Sequence, residues 1–316
     1  MKFQLLVNHY KEDKDIVNKF LSSLAKQEDV KFDVLILSDG GDIKLDPKEF
    51  KYPFGIMYAY KEHTGVCNTR NILLDKSNAD YVMFCDIDDE FIDPTGLKTL
   101  FDKTKYAPDI VASPFSVERN PEEGDEVGII ENDTLHVHGK IFRKQYLVDN
   151  NIRFPDEMEI SGDMMFLWLA FSLTNKILWT DKSFILWKWN KNSVTRQKSD
   201  HHVRTYDKTL KCYTLLAEDL KKRNRIDLYL QLIATIVAMI YVDISWKEWQ
   251  LASEDLRSIA NQSIKDTLNL YFRDYKLISE NLRRTSYDVM INFTHRAKSA
   301  GSFEDMIPFI NGFMAG

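Results

Sequence analysis

Apolar and polar positions come in alternating blocks along the first hundred residues. FQLLV from Phe3 is a continuous apolar run of strand length, and KDIVNKFLSSLAKQ sets Ile16, Phe20, Leu21 and Leu24 on one helical face. A second run, Phe32–Leu37, stops at the turn residues Ser38, Asp39, Gly40, Gly41 and Asp42. GIMYAY, a helix-like GVCNTRNILLDKSNA and a strand from Tyr81 to Cys85 repeat the rhythm. Strands that stay apolar without alternation are buried on both faces, so the pattern predicts a parallel sheet covered by helices. Ligands of such sheets collect at the carboxyl ends of the strands, where Asp39 and the acids after Cys85 fall.

Past about Asp109 the blocks shorten. DIVASPFSVER, EVGII and HVHGKIFR predict short strands, SGDMMFLWLAFSL a helix and KSFILWKW a late strand. From about Asp200 onward the pattern is helical. The boundary falls between Lys198 and Arg204, giving an α/β domain over 1–200 and a helical domain over 201–316 that serves oligomerisation or acceptor binding. Within the latter, Leu232 to Val242 is apolar nearly all round. It is about half of the roughly 20 residues a spanning helix needs, so no transmembrane segment is expected. A helix of that kind is buried in its own domain or covered by a partner chain, which opens the way to a homo-oligomer.

Composition narrows the partners. The 316 residues are 44% hydrophobic and 12% aromatic, enough for a packed core. A net charge of -6 with the signs interspersed gives no strong sign of nucleic-acid binding, which needs a clustered basic face. KKRNR at Lys221 to Arg225 is the dense basic run and reads as a solvated helix end. Cys67, Cys85 and Cys212 are odd in number and far apart, matching neither a disulfide framework nor a zinc spacing. With an opening segment unlike a signal peptide, they point to a reducing, cytoplasmic location.

The densest chemistry lies in YVMFCDIDDEFIDP, where an apolar strand runs into Asp86, Asp88, Asp89 and Glu90. Two carboxylates about 4 Å apart repel by roughly 4 kcal/mol at an effective dielectric of about 20. Water or a divalent cation must relieve that crowding. A D-x-D at a strand end offers two hard oxygen ligands to one ion, with room left for phosphate oxygens. A solvated acidic loop is the plainer alternative.

Five segments in order resemble the signatures of family 2 glycosyltransferases. SDGGD is similar to the turn closing their second strand, and GVCNTRN carries their G-x-x-x-x-R-N as Gly65, Arg70 and Asn71. The apolar strand leading to Asp86 and Asp88, then HGKIFRKQYLVDNNIRFP, then SGDMMF complete the order, covering residues 1 to about 196. The resemblance implies a GT-A fold: a nucleotide-diphospho-sugar transferase, Rossmann-like mixed sheet flanked by helices, here with a C-terminal helical region. It implies metal-dependent transfer of a sugar from a nucleotide-sugar, with UDP the first candidate, to a hydroxyl of a glycan, protein or other acceptor, with inversion. The cofactor would be Mn2+ or Mg2+.

The resemblance also assigns roles. Asn8, His9, Asp39, Arg70, Asp86 and Ile87 would bind the nucleotide, Asp39 through the uracil imide and Arg70 through the diphosphate. Asp86 and Asp88 would hold the ion, with His138 a candidate third ligand and His136, His201 and His202 its rivals. His136 and His138 share one face if their segment is a strand. Asp163 would be the general base, with Glu157 and Glu159 as substitutes. Lys140, Trp187, Trp189 and Arg196 are candidates for acceptor or donor-sugar contacts. Plainer readings stay open: an Asx turn for Asp39, a surface ion pair for Arg70, a helix-start carboxylate for Asp163, core packing for a tryptophan. Three departures from the family pattern stand out: Ser38 for an acid, VNHYKED in the first loop, and Gly162 for the Glu beside the base.

Other readings compete. A haloacid-dehalogenase-like phosphatase also has a strand followed by D-x-D, but two strands precede it here and Asp89-Glu90 replace a small pair. A nucleotidyltransferase shares the strand-end carboxylates. Gly162 keeps open an inactive, nucleotide-binding scaffold.

Overall fold

The continuous apolar runs become the centre of a sheet. In the computed structural model of the chain, β1 (Phe3–His9), β2 (Asp33–Asp39), β3 (Gly55–Lys61) and β4 (Tyr81–Asp86) pair in parallel in the order β4-β1-β2-β3. The structure describes residues 1–41, 45–118, 127–158, 160–190, 201–245, 247–294 and 301–315. They form two compact units, Met1–Trp189 and Asn190–Gly316.

In the first unit α1 (Lys14–Ala25) is capped by the Asp13 carboxylate, which accepts from the Asp15 and Ile16 amides at 3.0 Å each. Its buried face carries Val17, Phe20, Leu21 and Leu24, with Ile16 only partly covered. α2 (Val66–Lys76) follows β3, and the two-residue β5 (Glu90–Phe91) and α3 (Gly96–Asp102) follow β4. Two short strands, β6 (Ile110–Ala112) and β7 (Phe115–Glu118), replace the single one expected from DIVASPFSVER, since Pro114 has no amide to continue a ladder. β8 (Val127–Ile130), β9 (Lys140–Arg143), α4 (Lys144–Asp149), α5 (Gly162–Ser172), β10 (Ile177–Trp179) and β11 (Ile185–Trp187) complete the unit.

The main sheet has seven strands, β10-β6-β9-β4-β1-β2-β3, and β9 runs antiparallel to both β4 and β6. It is therefore mixed, as the GT-A resemblance implied, and not the all-parallel sheet suggested by the first hundred residues. A second sheet, β5-β11-β7-β8, stands beside it. HVHGKIFR is a strand only from Lys140; residues 131–139 are bends and a turn, so strand alternation does not orient His136 and His138.

The second unit is helical: α6 (His201–Arg204), α7 (Tyr206–Lys222), α8 (Ile226–Ile244), α9 (Lys247–Leu251), α10 (Glu254–Leu277), α11 (Glu280–Thr294) and α12 (Phe303–Ala315). α8 lies at its centre, against α7, α10, α11 and α12. α8 runs for 19 residues, longer than the Leu232–Val242 stretch suggested, and with mean hydropathy 1.6 it is long and apolar enough to cross a membrane by length and composition alone. The chain's own helices bury 72% of its most apolar 18-residue window.

Candidate active site

Strand register assembles the site. Parallel pairing sets Asn8 opposite Asp86, His9 opposite Ser38 and Asp39 opposite Lys61, all at carboxyl ends. Each pair then makes contact. With its amide oriented to suit the two acceptors it faces, Asn8 donates through its nitrogen to Asp86 Oδ1 at 2.9 Å and to the Cys85 carbonyl at 3.2 Å. His9 Nδ1 lies 3.2 Å from Ser38 Oγ and 3.1 Å from the Tyr58 hydroxyl, while Nε2 donates to the Glu12 carbonyl at 2.8 Å. The Lys61 ammonium donates to the Asp39 carboxylate.

Asp39 is 4% exposed and folds the segment that opens α2, accepting from the Thr64 amide at 2.8 Å and the Gly65 amide at 2.9 Å. Burial works against its charge, but the hydrogen bonds from Lys61 and Thr64 hold its carboxyl below the usual value.

α2 carries Arg70, which is 3% exposed. Its guanidinium donates through Nη2 to Asp86 Oδ1 at 2.8 Å and through Nη1 to Asp163 Oδ1. One fork thus ties the strand-end carboxylate to the first turn of α5. Burial disfavours this charge, yet Asp163 and Asp86 outweigh it and raise the Arg70 pKa. In turn Arg70, His138 and Asn8 hold Asp86 below its usual value against burial.

The neighbouring Asn71 places α5. Its amide nitrogen donates to the Phe154 carbonyl at 2.8 Å and to Asp156 Oδ1 at 2.9 Å, and its oxygen accepts from the Phe154 amide at 3.0 Å. Phe154 then stacks on Phe166 of α5, with ring centroids 4.0 Å apart. Gly162 completes the approach: a Cβ there would overlap the Cys67 sulfur, so a glycine lets α5 close on α2.

On the other side of Asp86, atoms of Asp86, Asp89 and His138 lie within 4.8 Å of one another. His138 Nε2 is 3.1 Å from Asp89 Oδ2 and 3.8 Å from Asp86 Oδ2, yet it makes no aligned hydrogen bond, and Asp89 Oδ1 is buried without a partner. Burial raises the Asp89 pKa, with the nearby Asp86 charge adding to it. Burial opposes the His138 charge, but Asp89 and Asp86 win and its pKa rises. Two hard carboxylates and an imidazole around buried, unpaired atoms fit a divalent cation.

Residues 5–168 match the family model for glycosyl transferase family 2. The chain belongs to that family. Among relatives it resembles are the poly(ribitol-phosphate) beta-N-acetylglucosaminyltransferases TarS of Staphylococcus aureus strains Mu50 and MW2. Each is 26% identical over 228 residues, covering 65% of this chain and 38% of the relative. The match thus spans less than two fifths of those relatives' length. Among solved structures, S. aureus TarS 1–349 in complex with UDP-GlcNAc has a TM-score of 0.66 at 18% identity, covering 95% of this chain and 93% of that one. The complex with UDP gives 0.64 at 18% identity, covering 91% and 86%. At such identity the likeness establishes the fold, the GT-A sheet with its helical region. Membership of family 2 sets aside the phosphatase and nucleotidyltransferase alternatives.

The family-based assignments meet the structure unevenly. Asn8, Arg70, Asp86, Asp163 and His138 converge, with Asp39 at the neighbouring strand end. Asp88 lies outside the Asp86, Asp89 and His138 trio. Asp89 was missed by sequence reasoning; its signal was the third acid of DIDD, hidden because D-x-D spacing skips it. Lys140 is no surface contact for phosphate or acceptor: it is 0% exposed, and its ammonium donates to Asp133, His136 and His138. Ile87 packs its side chain into the core, so a nucleotide contact from it is restricted to backbone. His9, 1% exposed, has both ring nitrogens engaged inside the protein, which turns its side chain away from that role.

His136 is bound to Asp133, Nδ1 to Oδ1 at 2.9 Å. Trp187 covers the His138 ring, centroids 5.2 Å apart at 26°, so one of its faces is taken. The Trp189 amide donates to Glu118 Oε2 at 2.7 Å. Glu157 is exposed. His202 is 3.4 Å from Asp243 within the second unit. Glu159, Arg196 and the His201 side chain lie outside the described residues.

Proposed function

We propose that the chain transfers a sugar from a UDP-linked donor, UDP-GlcNAc first among candidates, to a hydroxyl of a polyol-phosphate or glycan acceptor, with inversion. The observation that carries this reading is the single buried guanidinium of Arg70, which joins Asp86, at the strand end where nucleotides bind, to Asp163. Support for the donor comes from the solved relatives whose names include UDP and UDP-GlcNAc. Support for the acceptor class and for inversion comes from the curated relatives' name, since a beta product from the α-linked sugar of UDP-GlcNAc requires inversion.

In this reading Asp86, Asp89 and His138, joined by Asp88, hold Mn2+ or Mg2+. Such an ion, when bound, offsets negative charge growing on the departing diphosphate. Asp39 meets the base and Arg70 orients the diphosphate. Asp163, 28% exposed on its side chain, has the solvent access a general base needs to take a proton from the acceptor hydroxyl. Entry of the diphosphate gives Arg70 a third anionic partner beside Asp86 and Asp163, which competes for the donor that now holds Asp163 and so frees that carboxylate oxygen. The helical unit serves acceptor binding or assembly, and the buried thiols of Cys67, Cys85 and Cys212 suit a reducing compartment.

The test is UDP release from UDP-GlcNAc with poly(ribitol phosphate) and Mn2+, comparing the natural chain with Asp163→Asn. Turnover lost in the variant while UDP still binds supports the assignment. UDP binding with no transfer from any UDP-sugar by the natural chain leaves a scaffold and sinks the enzymatic reading.

A further inference from the structure

We propose that Lys140 and Asp133 form a buried ionic staple that positions His138 beside Asp86 and Asp89, a role that rests on the metal reading above. Lys140 opens β9 with its side chain wholly buried, and an ammonium has three protons to give. They go to Asp133 Oδ2 at 2.7 Å, the His136 carbonyl at 2.7 Å and the His138 carbonyl at 3.2 Å. Asp133, 1% exposed, also accepts from the His136 amide at 2.9 Å and from His136 Nδ1 at 2.9 Å. The segment from Asp133 to Lys140 is thus wrapped around one ion pair.

A second clamp acts at Gly139. Its φ of +69° suits glycine, and a Cβ there would lie 2.5 Å from Ser113 Oγ and 2.9 Å from the Ser113 carbonyl. The Gly139 carbonyl accepts from the Ser113 amide at 2.9 Å and the Ser113 hydroxyl at 3.0 Å. Between these clamps the His138 ring is packed by Phe115 and Trp187, each with its centroid 5.2 Å away. His138 therefore reaches the carboxylates from a segment without regular secondary structure, held from behind.

Stability alone is a poor reason for such a pair. Burying a lysine and an aspartate costs so much solvation that apolar replacements are often as stable. A ligand side chain displaced by about 1 Å, by contrast, loses its geometry. Supporting groups of this kind change metal affinity by roughly 10–100-fold when removed.

The experiment replaces the pair without leaving a lone charge: Lys140→Met with Asp133→Asn, where the asparagine still accepts from the His136 amide. Melting temperature, Mn2+ affinity by calorimetry, and UDP affinity without metal are measured. We expect a melting temperature near that of the natural chain, unchanged metal-free UDP binding, and Mn2+ affinity lower by about 10–100-fold. His138→Ala should match that loss, and adding it to the double variant should cost nothing more. A folded double variant with the natural Mn2+ affinity overturns the staple and makes the pair structural only. If the double variant does not fold, Lys140→Gln with Asp133→Asn, which keeps an amide donor near the His136 and His138 carbonyls and again leaves no lone charge, decides on the same Mn2+ readout. A natural chain that binds UDP but no Mn2+ overturns the metal reading itself, and the staple with it.

Discussion

At the residue scale the site depends on small groups that let large ones meet. Arg70 holds Asp86 and Asp163 because a guanidinium presents two donors in a fixed fork, which a lysine ammonium cannot do. Arg70→Lys should therefore keep the fold but lose one charge-assisted hydrogen bond, about 1.5–3 kcal/mol, or roughly 10–150-fold in kcat/KM for the UDP-sugar. Unchanged kinetics would show that the fork is not used. Gly162→Ala should cost about 1–3 kcal/mol, since its methyl meets the Cys67 sulfur, and Cys67→Ala should restore most of the loss. A double-mutant cycle of melting curves measures that coupling; additive losses would refute the contact. All three departures from the family pattern find a partner here. Ser38 and His9 touch each other, and Gly162 is matched by Cys67. Neither match was legible in the sequence, because each partner lies on a different element and leaves no periodic trace.

At the scale of elements, parallel register did most of the placing. The apolar runs at Phe3, Phe32 and Tyr81 were legible as strands because burial on both faces leaves no polar positions, and their carboxyl ends then had to share an edge. The segment before β9 was not legible. Its shape comes from a charge pair inside the protein, and HVHG resembles a strand by alternation alone. β10 is three residues long, too short for a pattern to register. The connection from β3 to α2 depends on Asp39 in the same way, which gives a pH dependence of defined sign. The folded chain holds the Asp39 carboxyl below the usual aspartate value, with burial opposing and Lys61 and Thr64 prevailing. The resulting stability is present above the unfolded value and disappears as pH falls through the lower folded one. The melting-temperature gap between the natural chain and Asp39→Ala should therefore be constant near neutrality and shrink below about pH 4. A gap that widens on acidification would reverse the assignment.

At the scale of the whole molecule, the two units bury separate cores, one around the seven-stranded sheet and one around α8. The converging site residues belong to the first, since Asn8, Asp39, Arg70, Asp86, Asp89, His138 and Asp163 precede Trp189. The length of α8 shows why the second unit was only partly legible. Its apolar centre was visible, but the flanks from Ile226 to Gln231 carry enough polar residues to hide that the same helix continues. Ligand and mutation should therefore act on different cores. UDP with Mn2+ at 100 times its Kd adds about 2.7 kcal/mol to whatever unit binds it. Ile236→Ala, at a fully buried position of α8, removes about 2–5 kcal/mol from the helical core. Scanning calorimetry of the natural chain should show a ligand-sensitive transition and a ligand-insensitive one, with Ile236→Ala lowering only the latter and UDP affinity unaffected. Loss of transfer to the acceptor in that variant, with UDP affinity kept, assigns the helical unit to acceptor binding. A single transition that both perturbations move by their full amounts would instead mean that the two cores unfold as one cooperative body.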